Sequence, residues 1–163
     1  METNHFLYRG VNSDIAKRKE GLKPKGLQFK RLPRHGESYV RHGNGVTHGL
    51  STNNSILAHQ IDSSEFPSSG ISTSPKFDIA RNYATYGGKK GVVYKIDKRK
   101  LQENDIDIFI VKDYVLYPHK PEDEEVILRH RFDKEISFDI VVDIINIPWN
   151  EDNNYTDFNS TTD

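Results

Sequence analysis

Short apolar runs bounded by turn residues predict strands at HFLYRGV (5–11), GVVYKID (91–97), DIFIV (107–111), EVILRH (125–130) and FDIVVDIINI (138–147). GISTS (70–74) reads as the end of a further strand. Two stretches carry helical signals instead. NSDIAKRKEG (12–21) offers Asn12 or Ser13 to cap its first amides and Gly21 as a left-handed stop. PKFDIARNYATYGG (75–88) places Phe77, Ala80 and Ala84 on one stripe, with Tyr83 beside it. Ser74 suits its cap, Pro75 its first position and Gly87-Gly88 its end. Residues 22–53 are rich in Gly, Pro, His and basic side chains with little periodicity, a long irregular segment of the kind that often carries function. NSILAHQI (54–61) suits a short helix, and DSSEFPSSG after it is turn chemistry. Two helices early and mostly strands later predict an α+β domain over residues 1–149, followed by a polar, acidic and flexible tail over 150–163.

Composition narrows the class. At 163 residues the chain is long enough for one cored domain and short for two. No apolar run approaches the roughly 20 residues of a membrane helix, so no membrane partner is expected. METNHFLYRG lacks the basic-then-apolar layout of a secretory leader. There are no cysteines, which excludes disulfides and thiol chemistry and suits the cytosol. The same absence would let the chain unfold for passage through a pore, so an endogenous cytosolic protein and a delivered toxin domain both stay open. The formal net charge is −1, but the charge is uneven. Lys17 to Arg41 is strongly basic, which suits nucleic acid, anionic lipid, nucleotide phosphates or an acidic partner, or simply a solvated face. From Gln102 onward the chain turns acidic.

Three local signals carry chemistry, each beside a plainer explanation. Tyr8-Arg9-Gly10 closes the first strand. A guanidinium on a rigid strand can grip phosphate or carboxylate through parallel hydrogen bonds, and a glycine beside it lets a ligand approach the backbone; the plainer role is a salt-bridged surface arginine. Ser72-Thr73-Ser74 passes from a strand into a helix. One hydroxyl would cap, and alternation sends Ser72 and Ser74 to one side, where a serine could hold a carboxylate. The third signal is the run Glu122-Asp123-Glu124-Glu125, set directly against Val126-Ile127. It serves as a solubilising turn, or else Asp123 and Glu125 share one side of an extended chain, as paired carboxylates do in glycosidic-bond chemistry.

In that order (Arg on the first strand, Ser-Thr-Ser on a central one, acid-x-Glu on a late one) the chain resembles the mono-ADP-ribosyltransferase toxins, most closely the cholera-toxin-like branch with its R, STS and E motifs. LYRGVNSDIAKRKEGLKPKG resembles the toxin's opening, and YPHKPEDEEV resembles its tyrosine-, proline- and acid-rich loop before a Glu-Val. The resemblance implies a mixed fold of two packed β-sheets with flanking helices around an NAD cleft. It implies NAD as a substrate, with no metal. Arg9 would hold the phosphates and the adenosine-side ribose, and Gly10 would present main-chain groups to the nicotinamide amide. Ser72 would orient the catalytic Glu125, with Thr73 and Ser74 shaping the strand and helix start. Phe77, Tyr83 and Tyr86 would pack the nicotinamide ring, with a core stripe the plainer role for Phe77. THGLST makes His48 the better match to the branch's active-site histidine, ahead of His59. Asp123 stands where arginine-modifying members carry Glu, keeping the charge but one methylene shorter; arginine on a target protein is the leading acceptor, with water or nucleic acid as alternatives. A monomer is expected, with a carrier or immunity protein as the further partner such a toxin or effector would take.

Overall fold

The computed structural model describes residues 4–26, 69–118 and 120–149, together with the backbone of 41–42 and 45–46. The expected helix at 54–61, the turn after it, His48, His59 and the acidic tail lie outside the described residues.

Among the described residues, two three-stranded antiparallel sheets form the framework. The first has the order β1 (Phe6–Asn12), β5 (Gly91–Asp97), β8 (Val141–Ile147), with β5 central. The second has the order β4 (Gly70–Thr73), β7 (Val126–His130), β6 (Ile106–Ile110), with β7 central. Two-residue strands β2 (Arg41–His42) and β3 (Gly45–Val46) pair separately. The architecture is thus α+β with strongly β character.

Alternation explains how the layers pack. Leu7 and Val11 of β1 and Val92, Tyr94 and Ile96 of β5 turn one face of the first sheet toward Ile71, Ile106, Val126 and Leu128 of the second. Leu22, Leu101, Ile136 and Ile140 from the connections join this core. The opposite face of the first sheet carries helix α2 (Phe77–Ala84), through Ala80, Ala84, Val93 and Ile147, with Tyr8, Phe77 and Ile145 packed around them. The sheets meet at their edges. Tyr8 N–H donates to Ser74 O at 2.7 Å and Ser74 N–H donates to Tyr8 O at 2.9 Å, an antiparallel bridge that ties β1 to the end of β4. Residues next to that bridge on either strand are therefore forced together.

Glycine seats α2 closely on the first sheet. A Cβ at Gly10 would lie 1.8 Å from Ala80 O, and one at Gly91 would lie 2.2 Å from Ala84 O. Both obstacles are main-chain atoms, which cannot rotate away. Gly10→Ala should therefore lower stability by about 3 kcal/mol through overpacking, read as a lower midpoint in urea with an unchanged slope.

Several boundaries differ from the sequence expectation. Helix α1 spans only Ser13–Lys17, capped as expected by Asn12, whose side chain accepts from Ile15 N–H at 2.9 Å. Its left-handed exit is Lys19 (φ 58°), not Gly21. Gly21 is required elsewhere, because a Cβ there would lie 2.3 Å from the Tyr94 ring. Helix α2 begins at Phe77 with Lys76 at its cap position and no side-chain cap bond. Ser74 Oγ instead accepts from Lys76 N–H at 3.1 Å and donates to Asp123 O at 2.6 Å. Gly87 and Gly88 do take the left-handed conformation beyond the helix (φ 73° and 72°). The long final run divides into a 3-10 turn, Phe138–Ile140, and β8.

Candidate active site

The bridge between Tyr8 and Ser74 sets the site. Arg9 follows Tyr8 on β1 and points to the core-facing side with Leu7 and Val11, since residues two apart share a face. Its Nη1 donates to Ser72 O at 2.8 Å and its Nε donates to Gly21 O at 2.5 Å. Burial pulls the guanidinium down to about 10, with Tyr94 and the Glu125 carboxylate opposing the shift. Arg9 is thus charged at neutral pH in a place that disfavours charge. It is not a surface arginine.

Ser72 pairs with Ile127 and Thr73 with Val126 across β4 and β7, which brings the carboxyl group of Glu125, just before β7, alongside Ser72. Ser72 Oγ donates to Glu125 Oε1 at 2.5 Å. Thr73 is turned inward, where its Oγ1 donates to Val126 O at 2.7 Å, a contact that fixes the strand pair. Burial pushes the Glu125 carboxyl above its ordinary value. The Ser72 hydrogen bond opposes the rise, the Asp123 charge adds to it, and Arg9 opposes it.

The acid run divides in two. Its chain is not extended: Pro121–Asp123 form a 3-10 turn and Glu124 is left-handed (φ 47°). That kink turns Asp123 and Glu125 into one cleft, while Glu122 and Glu124 face solvent. Lys76 holds the outer pair, with its Nζ 3.5 Å from Glu124 Oε1 and 3.0 Å from Glu122 O. The solubilising turn therefore accounts for Glu122 and Glu124 but not for the inner two acids. Asp123 is 8% exposed, and its Oδ2 accepts a hydrogen bond from the Tyr83 hydroxyl.

The cleft has a volume of about 300 Å³, at the small end for ligand pockets. Arg9, Gly10, Ser72, Thr73, Ser74, Tyr83, Asp123 and Glu125 all line it. Phe77 does not; it packs edge-on against Tyr8, with centroids 5.6 Å apart, in the α2 core. Tyr86 is 61% exposed and also lies outside the lining. Gly10 reaches the cleft, yet its missing side chain is explained by the approach of α2 rather than by ligand access. Sequence reasoning missed Tyr8, Lys120, Ile79 and Ala80 as lining residues. Tyr8 belongs to the Arg9 signal, which gives it no role of its own, and Lys120 sits just before the acid run, a proximity that could have flagged it. Gly21, whose carbonyl holds Arg9, carried no such signal.

This is an α+β protein whose two sheets are pinned at one edge, with a guanidinium, a hydroxyl and a desolvated carboxyl group in the resulting cleft, an arrangement that suits a charged ligand. The NarE family model matches residues 6–128, well over half of the chain, and the chain belongs to this family, which is named for an ADP-ribosyltransferase-like protein of Neisseria. No curated protein matches the chain.

Proposed function

We propose that this protein is a mono-ADP-ribosyltransferase that binds NAD in the cleft, breaks the bond between nicotinamide and ribose C1′, and transfers ADP-ribose to a target protein, with arginine the leading acceptor. One observation carries the reading. Arg9, Ser72 and Glu125, from three distant parts of the chain, are joined in sequence by the Arg9 Nη1–Ser72 O and Ser72 Oγ–Glu125 Oε1 hydrogen bonds.

The chemistry suits those groups. As the C1′–N bond breaks, its electron pair stays with the pyridinium nitrogen, nicotinamide leaves as a neutral molecule, and the ribose becomes an oxocarbenium-like cation. Because the leaving group is neutralised by its own departure, no metal is required. Glu125, accepting a hydrogen bond from the ribose 2′-hydroxyl, stabilises that cation as it develops. Ser72 fixes the carboxylate's rotamer through its 2.5 Å hydrogen bond. Arg9 offers its remaining N–H donors to the diphosphate, which positions C1′. The acceptor nitrogen then bonds to C1′ and gives up a proton. Asp123 supplies a buried carboxylate where a guanidinium would enter. The resemblance extends this reading to a toxin or effector domain.

Incubation with NAD labelled on the adenylate, in whole-cell lysate, tests the proposal. Label is expected on protein, with stoichiometric release of nicotinamide. Release with label only in free ADP-ribose would make water the acceptor, and label on RNA or DNA would make it a nucleic acid. No release with any acceptor would overturn the reading.

A further inference from the structure

Tyr83 sits on α2, half-exposed, beside the buried stripe rather than in it. Its hydroxyl donates to Asp123 Oδ2 across 40 residues of sequence. The main chain of Asp123 is held separately: its carbonyl accepts from Ser74 Oγ at 2.6 Å, and its N–H donates to Lys120 O at 3.1 Å. The turn is therefore anchored whatever stands at position 83. What Tyr83 adds is an orientation for the carboxylate, whose terminal torsion is otherwise broad. One phenol occupies a single acceptor position on a group that has about four. Asp123 can thus take a further donor from the cleft while held by Tyr83. The ring contributes as well. The Lys120 ammonium stands 5.9 Å from its centroid, so a cation already lies against this face at the cleft.

We infer that Tyr83 is the positioning residue for the acceptor, its hydroxyl aiming Asp123 and its ring forming the second wall of a seat for a guanidinium or similar planar cation. The inference rests on the proposed reading of the cleft. It also gives the short aspartate side chain a means of being held toward the acceptor.

The test is a double-mutant cycle with agmatine as soluble guanidinium acceptor and labelled NAD as donor, measuring kcat and KM for agmatine at saturating NAD. Tyr83→Phe keeps the ring and removes the donor, so it should raise the agmatine KM about tenfold. In an Asp123→Asn background the same change should have an effect under about twofold, because the group it aims has lost its charge. Tyr83→Leu, which also removes the ring, should raise KM further than Tyr83→Phe in the otherwise unaltered protein. Equal effects in both backgrounds, as a merely structural role would give, would overturn the inference, and so would an unchanged KM in Tyr83→Phe. An unaltered protein that releases nicotinamide but does not modify agmatine also sinks it, while leaving the reading of the cleft in place. An unaltered protein that releases no nicotinamide removes both.

Discussion

Glu125→Gln should reduce nicotinamide release by about a thousandfold, the scale seen when one charge-stabilising group is taken from a developing transition state. The substitution is nearly isosteric, and the amide oxygen can still accept from Ser72 Oγ, so the fold should persist. Stability should not fall with activity. Glu125 has its carboxyl raised chiefly by burial, so its ionised form is the disfavoured one in the folded state. The sign follows from linkage. A carboxyl raised on folding contributes stability in full below its unfolded value, and that contribution is lost as pH rises through the folded one. Above the unfolded value, neutral pH included, the raised titration is therefore a cost to the folded state, and Gln removes it. Glu125→Gln should thus melt at or above the temperature of the unaltered protein at neutral pH, with the difference vanishing on acidification. A loss of both fold and activity would instead make Glu125 a structural residue.

On the proposed reading the same carboxyl should set the acid limb of the rate profile, because only its ionised form would stabilise a cation. Two neighbours move it oppositely. Ser72 lowers the titration of Glu125 and Asp123 raises it. Ser72→Ala should therefore shift the acid limb of nicotinamide release to higher pH, and Asp123→Asn should shift it lower. Displacement in the same direction by both would contradict the arrangement of charges in the cleft.

Local signals were legible wherever a residue's role depends on its immediate neighbours. GVVYKID became β5 over its full length, and Asn12 caps α1 as its side chain predicts. Roles fixed by distant partners were harder to read. Gly21 looks like a helix stop, but the Tyr94 ring 73 residues away claims the space beside it, and the left-handed residue moves to Lys19. Ser74 looks like a cap, yet its hydroxyl proton goes to Asp123 O, 49 residues on. The alternation that suggested a shared side for Asp123 and Glu125 assumed an extended chain, whereas a 3-10 turn and the left-handed Glu124 bring them together by another route. The order of Arg9, Ser72 and Glu125 was visible because each lies on or beside a strand with a clear pattern. The bridge at Tyr8 and Ser74 that brings them together involves only main-chain atoms, and no side-chain pattern announces it.

Arg9→Lys should separate the structural duty of that bridge-side residue from the ligand-binding one proposed for it. The guanidinium spends Nε on Gly21 O and Nη1 on Ser72 O, tying the segment after α1 to β4. A lysine keeps the charge but has no planar fork, so it cannot serve both carbonyls and a diphosphate together. Two part-buried carbonyls losing a charged donor should cost about 2 kcal/mol, a fall in Tm of roughly 4–8 °C for a chain of this length. The kinetic effect should be larger, with the KM for NAD rising about a hundredfold if the fork clamps the phosphates. Burial supplies the independent check. The Arg9 guanidinium is pulled down to about 10, so at neutral pH its charge is held at a cost that an anion in the cleft would offset. Saturating NAD or ADP-ribose should therefore raise the Tm of the unaltered protein markedly, and that of Arg9→Lys much less. If both proteins gain equally from the ligand, the diphosphate does not sit on Arg9, and its hydrogen bonds to Gly21 and Ser72 account for all of its role.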